Sequence, residues 1–189
     1  PTLAYSHAAL KQGKGYLPAV LLLSLTLLSH LVLGYIAAVS AVLYVFLVWN
    51  GREIWRRLGR LLVLGAFTAV ATSYFFVPFL LDRGYLNRSV WELPEKYASY
   101  GYQFVLSALV KGGLIDYGRL PMLTALAAVG LGLCLWQRQE KHRLVVVTFV
   151  FWLLLYFGRP TWGVLMDLLP MGRDMQLHRL IVGVQLPAI

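Results

Sequence analysis

The chain has 189 residues, 59% of them apolar and only 13% charged, with a mean hydropathy of +0.69, a balance too apolar for an ordinary water-soluble enzyme. Its net charge of +9 would elsewhere suggest a nucleic-acid partner. Here the basic residues punctuate long apolar runs, so no nucleic acid is expected and the charge reads as membrane topology. The single cysteine, Cys134, excludes a disulfide framework and a cysteine-built zinc site.

The chain starts at Pro1 rather than Met and stops within the apolar stretch Leu186-Pro187-Ala188-Ile189, so an internal piece of a longer polypeptide is expected. From Gly15 to Gly51 there is no Lys, Arg, Asp or Glu. One helix over that run would be roughly 55 Å long, nearly twice a hydrocarbon core of ~30 Å. A hairpin is therefore predicted, with a short arm over 16–28, a break at Ser29-His30 and a full-length arm over 31–49. The short arm leaves its turn below the membrane surface, with His30 partly buried.

The basic cluster Arg52, Arg56, Arg57 and Arg60 reads as a short cytoplasmic helix anchored by the positive-inside rule, with anionic-lipid binding as the alternative. Residues 61–81 make one span, with Pro78 near its exit where a kink is tolerated. A long outer segment, 82–119, follows. Spans over 120–136 and 144–158 form a second hairpin about a basic turn, and Gly130 and Gly132 predict close helix packing. A second outer segment, 159–179, leads to the start of another span at 180–189. The expected fold is all-α: a polytopic transmembrane helical bundle, one domain over 1–189, with a broken-helix hairpin and re-entrant or amphipathic helices on the outer face.

Orientation follows from the charges. With the hairpin in place, Lys11, Lys14, the four arginines of the cluster, Arg138, Lys141 and Arg143 share one face with only Glu53 and Glu140. Asp82, Glu92, Glu95, Asp116, Asp167 and Asp174 fall on the other. A single crossing of 15–51 would reverse the basic excess, so the hairpin is the better reading.

The first outer segment carries turn signals at Asp82-Arg83-Gly84, Asn87-Arg88-Ser89 (also a glycosylation sequon) and Leu93-Pro94-Glu95, then an amphipathic piece over 104–115 interrupted by Gly112-Gly113. Its aromatic cluster, Tyr85, Trp91, Tyr97, Tyr100, Tyr102, Phe104 and Tyr117, is either an interfacial belt or a platform for a sugar or prenyl chain. In the second segment, 162–169 has the pattern of a re-entrant or interfacial helix. Residues Gly172 to Arg179 then form the densest polar stretch. On a helix Asp174 and His178 would share a face, two metal donors without a third at motif spacing. Arg179, where the last apolar run enters the membrane, either snorkels to headgroups or grips a phosphate. His30 either satisfies the backbone freed at the hairpin turn or forms a functional polar cluster with Ser29 and Tyr35. P-loop, G-x-S-x-G, H-E-x-x-H and Rossmann motifs are absent.

Three stretches, in this order, resemble polytopic membrane proteins of the GT-C glycosyltransferase-like superfamily, closest to the membrane family labelled 6-pyruvoyl-tetrahydropterin-synthase-related: Leu28-Ser29-His30-Leu31-Val32-Leu33-Gly34-Tyr35; Gly113-Leu114-Ile115-Asp116-Tyr117-Gly118-Arg119-Leu120-Pro121; and Leu169-Pro170 followed by Leu177-His178-Arg179-Leu180. The resemblance implies transfer of a sugar from a polyprenyl-phosphate-linked donor at the outer membrane face. It places the general-base carboxylate in an outer loop upstream of Pro1, so no catalytic residue is assigned. By position Arg179 matches the basic residue near the donor phosphate, and 162–178 matches the outer re-entrant region that shapes the pocket. The expected substrate-binding set is Arg179, His178, Arg173, Asp174, His30, Tyr35, Asp116 and Trp162. No cofactor is evident and a divalent metal is left open. Membrane lipid and the polyprenyl-phosphate sugar donor are the expected partners, and the cytoplasmic membrane of a prokaryote the expected location. The alternatives are a transporter or flippase module for a lipid-linked glycan and a non-catalytic membrane scaffold.

Overall fold

A computed structural model describes residues 1–48, 50–85, 91–137 and 139–188, and the backbone but not the side chain of Arg83. Among the described residues every regular element is helical and there is no strand, as the composition predicts. The chain divides into two compact units, Pro1–Leu86 and Asn87–Ile189. The predicted sequon at Asn87-Arg88-Ser89 lies outside the described residues, as do Trp49, Arg138 and Ile189.

The first unit is built of α1 (Thr2–Gln12), α2 (Tyr16–Ser29), α3 (Leu31–Val45) and α4 (Gly51–Leu81). Gly13 ends α1 in the left-handed region, φ 68°, where its N–H donates to the Ala9 carbonyl and a side chain would be strained. The predicted break at His30 is present. His30 is extended (φ −156°, ψ 105°), its N–H closes α2 on the Thr26 carbonyl, and its Nδ1 accepts from the Leu33 N–H at 3.3 Å to open α3. The second arm is shorter than predicted, stopping at Val45 rather than reaching residue 49. The core gathers Ala9, Ala19, Leu23, Ala37 and Leu64, mostly small residues that let helix backbones approach. Gly34 takes this furthest, since a Cβ there would stand 2.4 Å from the Leu27 Cα on α2.

Helix α4 departs from expectation by running unbroken from the basic cluster through the predicted span, 31 residues in all. Asn50 Oδ1 caps it by accepting from the Arg52 N–H at 3.1 Å, with Glu53 in its first turn, a favourable N-terminus. Two arginines of the predicted anchor serve the fold. Arg57, 2% exposed, reaches Glu53 and the Tyr44 carbonyl, and Arg60 Nη1 donates to the carbonyls of Leu10 (2.9 Å) and Lys11 (2.6 Å) at the end of α1. Alone among the described helices, α4 is long and apolar enough to cross a membrane. Its buried stripe is Arg57, Leu64, Thr68 and Thr72, while Phe67 and Val70 are 61% and 73% exposed. Both threonine hydroxyls donate to carbonyls four residues back, at 2.8 Å, so the inward face is satisfied and the apolar face points out.

The second unit holds α5 (Pro94–Ala98), α6 (Tyr102–Val110), α7 (Met122–Trp136), α8 (Glu140–Tyr156), α9 (Arg159–Trp162), 3-10 turns over Gly163–Leu168 and Leu177–Leu180, and α10 (Ile181–Ala188). Trp152 of α8 is fully buried, and a Cβ on Gly183 of α10 would fall 2.6 Å from its ring, which fixes how closely α10 lies on α8. After Tyr156 the chain bends by 78° into Arg159–Leu168, through Gly158 at φ 65°. The helix predicted over 162–169 takes the form of the end of α9 and a 3-10 turn, and with α8 it makes a bent pair of the kind found in a broken span or a re-entrant loop. Gly163 at φ 54° breaks the helical pattern there.

Candidate functional site

Residues 99–102 pack against the α8–α9 corner. Ser99, itself at φ 66°, donates its hydroxyl to the Tyr156 carbonyl at 2.5 Å; the Gly101 N–H reaches the Phe157 carbonyl at 3.0 Å; and the Tyr102 N–H reaches Thr161 Oγ1 at 2.9 Å. The approach is close enough that a Cβ on Gly158 would collide with the Ala98 carbonyl oxygen. Tyr100 packs on Phe104 and on Tyr156, with ring centroids 5.1 and 6.3 Å apart. Part of the aromatic cluster therefore holds this corner together, while Trp91 is 91% exposed.

Two polar networks form here, one between the segments and one within the second. In one, Glu92 accepts from the Gln176 amide at 3.1 and 3.2 Å and pairs with Lys96 at 3.5 Å, while His178 Nδ1 lies 2.9 Å from the Lys96 carbonyl. A hydrogen bond from Tyr97 holds the Glu92 carboxyl below the usual carboxylate range against partial burial, with Lys96 and Gln176 adding to it. In the other, Asp167 sits between Arg159 (2.7 Å) and Arg173 (3.1 Å), and Arg159 also donates to the Gly172 carbonyl at 3.0 Å. Arg159 above all, then Arg173, keeps the Asp167 carboxyl low against the opposing effect of burial.

Each sequence-predicted residue has a definite place. Arg179 is exposed and makes no ion pair among the described residues, at the turn that leads into α10. Asp174 and His178, predicted to share a helix face, do not, because 170–176 is a run of turns and the next helical turn begins only at Leu177. Among the described residues no three His, Cys, Asp or Glu side chains converge. Trp162 donates its ring N–H to the Leu154 carbonyl at 2.6 Å, bracing the bend. His30 is exposed rather than partly buried, and its side chain caps α3. Tyr35 is half-buried on α3, five residues from His30 and so well around the helix from it.

Asp116 is 6% exposed and caps α7 from outside the helix. Its carboxylate accepts from the Leu123 N–H (2.8 Å), the Thr124 N–H (3.0 Å) and the Thr124 hydroxyl (2.6 Å). Burial opposes its ionisation, but the Thr124 hydroxyl and the first-turn amides together outweigh it and hold the carboxyl below its usual value.

Two hollows of this unit are lined by described residues. A groove of about 530 Å³ runs between α7, α8 and α10, lined by Leu126, Ala127, Leu131, Cys134 and Val145 among others. A second, of about 500 Å³, adjoins the 115–123 turn and includes Arg119. Neither takes a lining residue from 159–179, so the second outer segment does not roof them. Gly130 and Gly132, predicted as packing glycines, face open space, and Gly130 lines the larger groove. The glycines that do permit close approach, Gly34, Gly158, Gly172 and Gly183, carry no signal in the sequence beyond being glycine. No protein-family model, curated protein or solved structure matches the chain.

Proposed function

We propose that the chain is part of a polytopic membrane protein of the GT-C glycosyltransferase-like kind, which transfers a sugar from a polyprenyl-phosphate-linked donor at the outer membrane face. The observation that carries this reading is Arg179, an exposed guanidinium without an ion-pair partner among the described residues, at the head of α10 and next to the packed outer segments. A leaving phosphate develops charge, and an arginine held on a folded turn is placed to stabilise it through paired N–H donors. The bilayer part of the reading is supported by α4, whose apolar residues face outward and whose threonines face inward.

In the full-length protein Arg179→Ala is expected to lower sugar transfer by about a hundredfold or more, in line with the loss of one charge-stabilising donor, with the amount of protein in the membrane unchanged. Wild-type turnover would remove the assignment. The 78° bend between α8 and Arg159–Leu168 favours one other reading, a transporter or flippase for a lipid-linked glycan, since broken helices are common there. Movement of a labelled lipid-linked sugar across proteoliposomes, without transfer, would select it.

A further inference from the structure

Arg159–Leu168 departs from the direction of α8 by 78°. An α-helical turn followed by a 3-10 turn over that stretch is about 15–20 Å long, so at this angle it advances only about 4 Å along α8. The inference rests on the bilayer part of the proposed function, in which α8 crosses the membrane. Even with α8 tilted by ~20° from the normal, the segment changes depth by no more than about 10 Å, a third of a ~30 Å hydrocarbon core. Neither a second half-span nor a deep re-entrant loop fits in that distance, so the segment lies flat. Its level follows from α8 as well, whose 17 residues rise about 25 Å from the charged end at Glu140 and Lys141 to the bend. We propose that 159–168 is an interfacial anchor, its outward face seated where the headgroups of the outer leaflet meet the acyl chains.

The two sides of the segment are unlike. Toward the protein, Met166 is 2% exposed, Asp167 is held by Arg159 at 2.7 Å and by Arg173 at 3.1 Å, and a Cβ on Gly172 would collide with the Met166 carbonyl oxygen. That side is closed. Val164, Leu165 and Leu168, which fall within about a third of the circumference, are 79%, 57% and 81% exposed. Two demands then fix the partner. Large apolar side chains leave water at a gain in free energy, whereas the backbone groups of a short 3-10 turn and of the turns after it find no partners in hydrocarbon and need water close by. The boundary between headgroups and chains meets both demands, as it does for other amphipathic segments. Trp162 sits at the bend itself, its ring N–H on the Leu154 carbonyl at 2.6 Å, so the angle that sets the depth is held by a side chain of the segment.

Depth can be read by fluorescence quenching. In the full-length protein carrying Cys134→Ser, Val164→Cys, Leu165→Cys and Leu168→Cys are introduced one at a time, labelled with bimane and reconstituted in phosphatidylcholine vesicles. The vesicles carry a nitroxide either on the fifth carbon of the acyl chain or on the twelfth, and aqueous iodide is titrated separately. Each label is expected to be quenched about twofold or more strongly by the shallow nitroxide than by the deep one, and less by iodide than the same label on Glu95→Cys. Stronger quenching from the twelfth carbon makes the segment re-entrant and overturns the anchor. Iodide quenching equal to that at Glu95→Cys puts the face in water, and quenching by neither agent puts it under protein; either result also overturns it. The three positions are read separately, so a variant that fails to reach the membrane leaves the others to decide. A label on Val70→Cys of α4 separates this inference from the reading beneath it. Lipid quenching at Val70→Cys but not at the three positions overturns the anchor alone, and its absence from all four overturns the bilayer reading too.

Discussion

Asp116 commits its carboxylate to a helix. Pro121, at the usual capping position of α7, offers no side-chain acceptor, and the carboxylate supplies one from five residues further back. Because folding holds this carboxyl below its ordinary value of ~3.9, its contribution to stability is fully present above that pH and is lost as the pH falls through the lowered folded value. Asp116→Asn is therefore expected to lower the melting temperature at neutral pH and to flatten its fall below about pH 4, as followed by thermal scans of the purified protein across that range. Gly34 gives a second prediction. With the Leu27 Cα 2.4 Å from where its Cβ would be, Gly34→Leu has to separate α2 from α3, at a cost of about 1–3 kcal/mol for overpacking, measurable by denaturant titration. Neither outcome can be read from sequence, where Asp116 is one acid of an outer loop and Gly34 looks no different from Gly130.

Among the elements, α4 combines a cap, a basic first half and an apolar second half in one helix. The sequence reading divided it at Arg60 because charge density changes there. The helix nevertheless tolerates Gly59 there, and Arg57 and Arg60 both find carbonyl partners on neighbouring helices. Only Leu64 contributes a large, fully buried apolar side chain to the core from this helix. If the outward face meets lipid, Val70→Arg is expected to impair insertion by about 2.5–3.5 kcal/mol, seen as loss of the protein from the membrane fraction. The same change on a water-facing helix would leave fractionation untouched. The break at His30 was legible because Ser29-His30 is the most polar point of a charge-free run; the early end of α3 was not, since its sequence stays apolar through Val48.

For the whole molecule, each unit carries its own lesson. In the first, a cation of α4 reaches across to end α1. In the second, the outer segments meet at one end of α8, where Ser99 and Gly101 bond to Tyr156 and Phe157, while Lys141 begins the other end. A helix of 17 residues is about 25 Å long, so Glu95 and Lys141 stand well apart along it. Single cysteines at these two positions, in a chain lacking Cys134, are expected to react with an impermeant maleimide from opposite sides of sealed vesicles; labelling from the same side would end the topology proposed here.

By itself the sequence determined that the chain is helical and where α2, α7 and α10 start and stop, because run length, Gly and Pro positions and charge spacing act between near neighbours. The tertiary structure alone decided which glycines bring helices into contact, that residues 99–102 close on the α8–α9 corner, and that a hollow opens beside Arg119. Those outcomes depend on partners such as Glu92 and Gln176, 84 residues apart, and residues of one chemical type are alike in sequence until packing gives each a different neighbour.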